Sequence, residues 1–147
     1  MRDALAERIA SAHLIHIDAR VFAFHLLAEP TMIEATRAVM GALRDGLVRG
    51  QTSALTLYQI LAELYRRGEQ DRAAELGRDL MVHNGLEIVP VTTEIAIQAA
   101  EVRAQLGGRP ERAVQIATAL VERADLFLTT DSALRRIAGM SVLNLEG

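Results

Sequence analysis

Two acids, Asp18 and Asp131, stand where a chain of this pattern can do chemistry. Each directly follows a short apolar run of strand length. The first run is HLIHID (His13 to Asp18), with Leu14, Ile15 and Ile17 apolar; the second is Leu126 to Thr129, followed by Thr130 and Asp131. Open α/β sheets place ligands at the carboxyl ends of their strands. A carboxylate at that point is either a helix cap or a site residue, and carboxylates that cluster hold hard divalent cations through oxygen. Other residues offer less. His13, His16, His25 and His83 lack H-x-x-x-H spacing and read as strand, core or surface histidines. Gly107-Gly108 reads as a helix stop, since no Walker or dinucleotide glycine pattern accompanies it. Arg135-Arg136 reads as a solvated helix face rather than an RNA contact.

The stretch from Arg109 to Asp131 sets the architecture that positions these acids. Pro110 suits a first helical turn, where its missing N–H would have no partner. Ala113, Val114, Ile116, Ala117, Ala119, Leu120 and Val121 are apolar on more than one face, the mark of a buried helix. Arg123, Ala124 and Asp125 break it, and the strand run follows. A buried helix feeding a buried strand is half of a parallel crossover. Earlier segments repeat the order. Met1 to Ser11 reads as a helix, with Leu5, Ile9 and Ala12 at helical spacing; residues 1–12 form an N-terminal extension and 13–147 the domain. That helix either packs on a partner or covers the domain's own edge. Val21 to Ala28 is a short helix ended near Glu29 and Pro30. Thr31 and Glu34 have capping-box spacing, and their helix runs to about Arg49 with Gly50 as its stop. Thr52 to Leu55 is a second strand, Thr56 opens a helix, and Glu69 to Asn84 is another. Glu87 to Val91 is a third strand, which Pro90 assigns to an edge or an end. Thr93 to Leu106 is an amphipathic helix, Ser132 to Ala138 a short helix, and Ser141 to Leu145 a last strand. The alternation predicts an α/β fold, a three-layer α/β/α sandwich around a parallel sheet of four to five strands.

Composition narrows the function classes. At 147 residues the chain is most simply one domain with a real core. Half of the residues are hydrophobic, yet no run approaches the roughly 18 apolar residues of a membrane helix. No secretion signal is read at the N-terminus, and the lack of cysteine excludes disulfides and fits a reducing cytoplasm. All 16 basic residues are arginine, and the net charge is −3, so the chain as a whole is no electrostatic trap for RNA. Phe22, Phe24, Phe127, Tyr58 and Tyr65 are its aromatics, which leaves little for base stacking.

The run AVQIATAL (Ala113 to Leu120), the turn TTD (Thr129 to Asp131) and the strand-ending Asp18 together resemble the PIN domain family of metal-dependent ribonucleases, which includes toxins of toxin–antitoxin pairs. The resemblance spans His13 to Leu145. It implies a PIN-like fold, a site of three or four acids holding Mg²⁺ or Mn²⁺, an RNA substrate, an antitoxin-like protein partner and a homodimer. Asp18 and Asp131 match two of the acids. Where the family has the glutamate of S-x-L-T-x-x-E, this chain has Ser53, Leu55, Thr56 and then Gln59; where an acid opens the helix before the ATAL-like run, Arg112 stands, with Glu111 one place earlier. Arg20 replaces the small polar residue expected two places after Asp18.

These departures change the electrostatics. A glutamine at 59 keeps a capping box to Thr56 but not the charge. A guanidinium keeps its proton in a protein. At an effective dielectric of about 20, a like charge about 4 Å away costs roughly 4 kcal/mol, and about twice that for a dication. The expected consequence is a site without a metal cofactor, in which Arg112 replaces the ion, pairs with Asp18, Asp131 or both, and lowers their pKa values. The rival expectation is an active Mg²⁺- or Mn²⁺-dependent endoribonuclease in which Glu63 and Glu111 turn inward to complete the cluster. Glu63 lies one turn beyond Gln59, about 6 Å along the axis, and Glu111 lies about 100° around the helix from position 112.

Overall fold

A computed structural model of the chain describes residues 2–27 and 33–146. Among them, five strands form one sheet: β1 (Leu14–Ile17), β2 (Arg49–Ser53), β3 (Leu86–Val89), β4 (Leu126–Thr129) and β5 (Ser141–Asn144). Their order is β3-β2-β1-β4-β5 and every pairing is parallel. The helices are α1 (Arg2–Ser11), α2 (Ala19–Leu27), α3 (Ile33–Arg44), α4 (Ala54–Arg66), α5 (Gln70–Val82), α6 (Thr93–Leu106) and α7 (Pro110–Val121).

Strand alternation divides the interior into two cores. Ile15 and Ile17 of β1 and Leu126 and Leu128 of β4 face one way, onto Val21, Phe22, Val39, Leu43, Ile60 and Leu64 of α2, α3 and α4. Phe127 faces the other way, onto Ile95, Ala99 and Val102 of α6 and Ala113, Ile116 and Ala117 of α7. LFLT of β4 is apolar almost throughout, as suits a strand buried on both faces, whereas β1 turns Ile15 and Ile17 to one face and buried His16 to the other, and β2 (RGQTS) is buried with polar side chains. The result is the expected three-layer sandwich. Ile9 of α1 is buried in the first core with Leu5 packed beside it, so α1 lies against the domain.

Pro110 opens α7, Gly107 closes α6 at φ 67°, and β3 is an edge strand with Pro90 just beyond its end. Several boundaries differ from the sequence reading. Helix α3 stops at Arg44, where Gly46 takes φ 74°, so apolar Leu47 and Val48 leave the helix. Gly50 is therefore no helix stop; it pairs with Ile15 inside β2, where a Cβ would lie 2.5 Å from Leu43 Cδ2. Helix α4 starts two residues before Thr56, with Ser53 as its cap accepting the Leu55 N–H at 3.0 Å. Residues 132–138 form turns rather than a helix. Leu134 and Ile137 are buried there, and the Leu134 N–H closes a turn on the Asp131 carbonyl at 3.0 Å. The helix stop near Glu29 and Pro30 and the Thr31 cap fall outside the described residues.

Gly85 carries a tertiary constraint. It has φ 81°, its carbonyl accepts the Gly50 N–H at 2.9 Å, and a Cβ on it would run into the Leu43 carbonyl. Gly68 has φ 76° but open space around it. Gly68→Ala is expected to cost about 1–2 kcal/mol, the left-handed backbone penalty alone. Gly85→Ala adds a backbone clash and should cost clearly more; urea unfolding of the two variants measures the difference.

Candidate active site

The site follows from the sheet order. The chain leaves β1 toward β2 on one side, while β4 lies on the other, so the connections diverge at the carboxyl ends of β1 and β4 and open a crevice. Ile17 pairs with Leu128, and the Asp18 N–H continues the ladder to the Leu128 carbonyl at 3.0 Å. Asp18 and Asp131 thus meet at one spot. The Thr129 hydroxyl links them: it donates to Asp18 Oδ2 at 2.8 Å and accepts the Asp131 N–H at 3.0 Å.

The two aspartates differ electrostatically. Asp18 is buried, which pushes its pKa up; the Thr129 hydroxyl, the Ala19 N–H and the Arg20 charge oppose the rise, and Asp131 adds to it. The sequence reading expected it to be lowered by pairing with Arg112. Instead Arg112 turns to Asp131, its Nη1 3.4 Å from Asp131 Oδ2, with the two side chains only 17% and 14% exposed. For Asp131, burial again pushes upward but is outweighed by the Ala133 N–H, the Arg20 charge and the Arg112 contact, so its pKa is lowered. Arg112 Nη2 also lies 3.4 Å from the Gly107 carbonyl, and the guanidinium covers Gly108, where a Cβ would collide with it.

The remaining candidates divide. Gln59 lines the crevice, but it forms no capping box, because Thr56 is inside the helix; its Oε1 is buried without a partner. Glu63 does not join the aspartates. It binds Arg66 Nε at 2.9 Å and Arg67 Nε at 3.0 Å, and those bonds hold its pKa down to about 2. Glu111, Arg20 and Arg109 line the same crevice, whose free volume is about 20 Å³, room for about one water. Among the described residues, no three acids or histidines come together in a way that would hold a metal ion.

The sequence profile described as PIN domain matches residues 15–140. The chain belongs to this family. Solved structures agree with the fold. A DNA-bound VapBC of Salmonella typhimurium superimposes with a TM-score of 0.71 at 16% identity, covering 90% of this chain and 98% of that one. VapBC2 of Rickettsia felis, bound to a DNA fragment from its promoter, gives 0.71 at 13% identity over 89% and 98%. VapC20 of Mycobacterium tuberculosis, a toxin that cleaves the sarcin–ricin loop, gives 0.63 at 16% identity over 77% and 86%. No curated protein matches the sequence.

Beneath the PIN crevice lies a polar network that the sequence reading missed. Gln51 Nε2 donates to His16 Nδ1 at 3.0 Å, which places the imidazole proton on Nε2, and that N–H donates to Gln115 Oε1 at 2.7 Å. Gln115 Nε2 donates to Thr56 Oγ1 at 2.8 Å, Thr56 pairs with Thr52 Oγ1 at 2.7 Å, and Thr52 donates to the Ile17 carbonyl at 2.6 Å. The network joins β1, β2, α4 and α7, the elements that carry Asp18, Gln59 and Arg112. Its sequence signal was Gln115, a polar residue inside an otherwise apolar helix, which must find partners once buried. His16 stacks on Phe127, with ring centroids 5.2 Å apart.

Burial holds the His16 pKa down to about 4, against a bond to Gln115 that raises it. The folded state thus resists a proton that the unfolded chain accepts below its ordinary value of about 6.5. Stability should be full above that value, fall as pH drops through the window between the two, and lose roughly 3 kcal/mol in all. Urea unfolding across pH 7.5 to 4 measures this, and His16→Gln should flatten that part of the profile. Asp18 has the opposite sign. Its raised pKa means that the charged form burdens the fold at neutral pH and that the burden disappears on acidification. Asp18→Asn should raise the urea midpoint at pH 7, with the gain shrinking toward pH 4.

Proposed function

We propose that this PIN domain has exchanged its divalent ion for the Arg112 guanidinium and works as a toxin-like subunit impaired in metal binding and RNA cleavage, acting through a bound partner. The observation that carries the reading is the Arg112–Asp131 pair, two largely buried charges 3.4 Å apart in the crevice at the ends of β1 and β4. The donor set argues against a divalent ion. Asp131 has a cationic partner, Glu63 is taken by Arg66 and Arg67, and position 59 offers a neutral amide. An incoming dication would also face a guanidinium that cannot deprotonate. A protein partner is favoured over RNA because several structures with this fold are toxin–antitoxin complexes. The net charge of −3 and the small aromatic content point the same way.

The second reading, an active Mg²⁺- or Mn²⁺-dependent endoribonuclease, is favoured by one observation: Glu111 lines the crevice beside Asp18 and Asp131. Calorimetric titration with Mn²⁺ separates the two. The first reading expects no micromolar binding in the native chain and a gain of binding in Arg112→Asp combined with Gln59→Glu. Micromolar binding that vanishes in Asp18→Asn, with RNA cleavage abolished by chelator, would overturn it.

A further inference from the structure

The turn that carries α5 into β3 holds a chemistry of its own. The Leu86 N–H closes it on the His83 carbonyl at 3.2 Å, and Gly85 supplies the left-handed φ of 81°. An Asn-Gly pair suits such a turn on conformational grounds alone. What stands around the pair is less ordinary. The Asn84 side chain lies at the surface and donates through Nδ2 to the Arg44 carbonyl, the last of α3, at 2.9 Å. The next backbone N–H, that of Gly85, has no acceptor among the described residues. The carbonyl of the peptide bond between the two lies 2.9 Å from His83 Nδ1. A carbonyl only accepts, so that ring nitrogen carries the proton and donates.

An asparagine followed by glycine can close a five-membered ring on its own main chain. The Gly85 nitrogen gives its proton to solvent and attacks Asn84 Cγ. The N–Cγ bond forms, the Cγ–Nδ2 bond breaks, and ammonia leaves. Water then opens the succinimide at one of its two carbonyls and leaves aspartate or isoaspartate at 84. One water enters, one ammonia departs, and nothing is oxidised or reduced. The turn meets the needs of each step. Glycine sets no Cβ in the path of the attacking nitrogen, and its N–H is not held in the strand ladder. As that N–H ionises, negative charge spreads to the Asn84 carbonyl oxygen, where the His83 N–H already stands. Freeing the Asn84 amide breaks one exposed hydrogen bond, a small cost.

We propose that Asn84 is a self-modification site, deamidated by attack of the Gly85 nitrogen with His83 as the assisting donor. The proposal is independent of the crevice and of the fate of its metal. Its product alters the corner where α3, β2 and β3 meet. A carboxylate at 84 has no N–H for the Arg44 carbonyl and sets a negative charge at the carboxyl end of α3, where the helix dipole opposes it. Isoaspartate also lengthens the main chain just before Gly85. That glycine holds the Gly50 N–H at 2.9 Å and packs so closely on the Leu43 carbonyl that a Cβ would collide with it. The modification therefore loosens the starts of β2 and β3, and no step of the route restores the amide.

The test incubates the full chain near neutral pH at physiological temperature beside the blocked peptide acetyl-VHNGLE-amide. Peptide mapping by mass spectrometry and isoaspartyl methyltransferase labelling follow the conversion. The folded chain should convert at Asn84 at a rate no more than about tenfold below that of the peptide. Asn144, which Leu145 follows, should stay intact, and Asn84→Gln should stop the reaction. His83→Ala should slow the folded chain severalfold at an unchanged urea midpoint, and His83→Asn, which keeps an N–H donor, should recover part of the rate. The converted fraction should unfold at lower urea than the native chain. A folded chain that stays intact while the peptide converts, or equal rates in the native chain and His83→Ala, would overturn the proposal. An unchanged midpoint in the converted fraction would overturn the loosening of the corner.

Discussion

Two carboxylates, Asp18 and Asp131, are carried into one partly enclosed crevice at the ends of neighbouring parallel strands, and burial opposes the charge of each. That constraint governs the molecule. The register of β1 on β4 sets Ile17 against Leu128, and the Asp18 N–H then bonds the Leu128 carbonyl, so backbone geometry alone brings Asp18 to Asp131. The chain meets that opposition differently at the two acids. Asp18 sinks into the interior, where its pKa rises and its charge weakens, while Asp131 stays nearer solvent, with Arg112 at 3.4 Å and a lowered pKa. Two like groups with pKa values pushed apart by their surroundings are a recurrent property of sites that do chemistry.

An internal cation differs from an exchangeable one in what it asks of the fold. Arg112 reaches Asp131 from the first turn of α7, across a left-handed glycine at 108 that has no side chain to block it. The helix must also be held at a fixed height over the strands. Gln115, one turn further along, supplies that anchor through His16 and Thr56, and the proton directions are consistent from Gln51 to the Ile17 carbonyl. A fully satisfied buried network of this kind favours one arrangement of its elements, because every alternative leaves a polar atom unpaired. Stability at low pH is the cost, since the imidazole in that network has no room for a second proton.

The layers, the parallel sheet and the two strand-ending aspartates were legible because LFLT and the apolar residues of HLIHI each run into an acid and alternate with helical segments, whereas β2 (Arg49–Ser53), buried yet polar, gave no apolar run and was read too late in the chain, at Thr52 to Leu55. Less legible were the places where tertiary contacts override local pattern. Leu47 and Val48 extend an apolar helical stripe, yet Gly46 turns the chain and Val48 joins the core beside β2. Gln59 has capping-box spacing from Thr56, yet Ser53 caps the helix first and leaves the amide oxygen alone. Glu63 sits one turn from the crevice, but Arg66 and Arg67 on its own helix reach it sooner than any ion could. Local partners at i+3 and i+4 are always within reach, so an acid flanked by them is a weak candidate for a distant site. The partnership of Arg112 was half legible: type and position implied a pair, but only the packed structure distinguishes Asp131 from Asp18.

The same reasoning separates what the crevice has lost from what the surrounding surface has gained. On our reading, the changes at 59 and 112 remove ligands from a cation site, and the change at 20 adds a guanidinium facing an adjoining cavity. Arg20 also works inward: its charge lowers Asp131 alongside the Arg112 contact and opposes the rise that burial imposes on Asp18. Both arginines therefore answer the two acids that remain. Gln59 lines both crevice and cavity, yet its Oε1 is sealed from solvent without a donor. A neutral amide at 59 thus removes a charged ligand and also leaves a buried acceptor unpaired, which costs stability. A glutamate there would carry a full charge into the same enclosed spot, which only a cation could offset, so the amide at 59 and the guanidinium at 112 are two parts of one electrostatic adjustment.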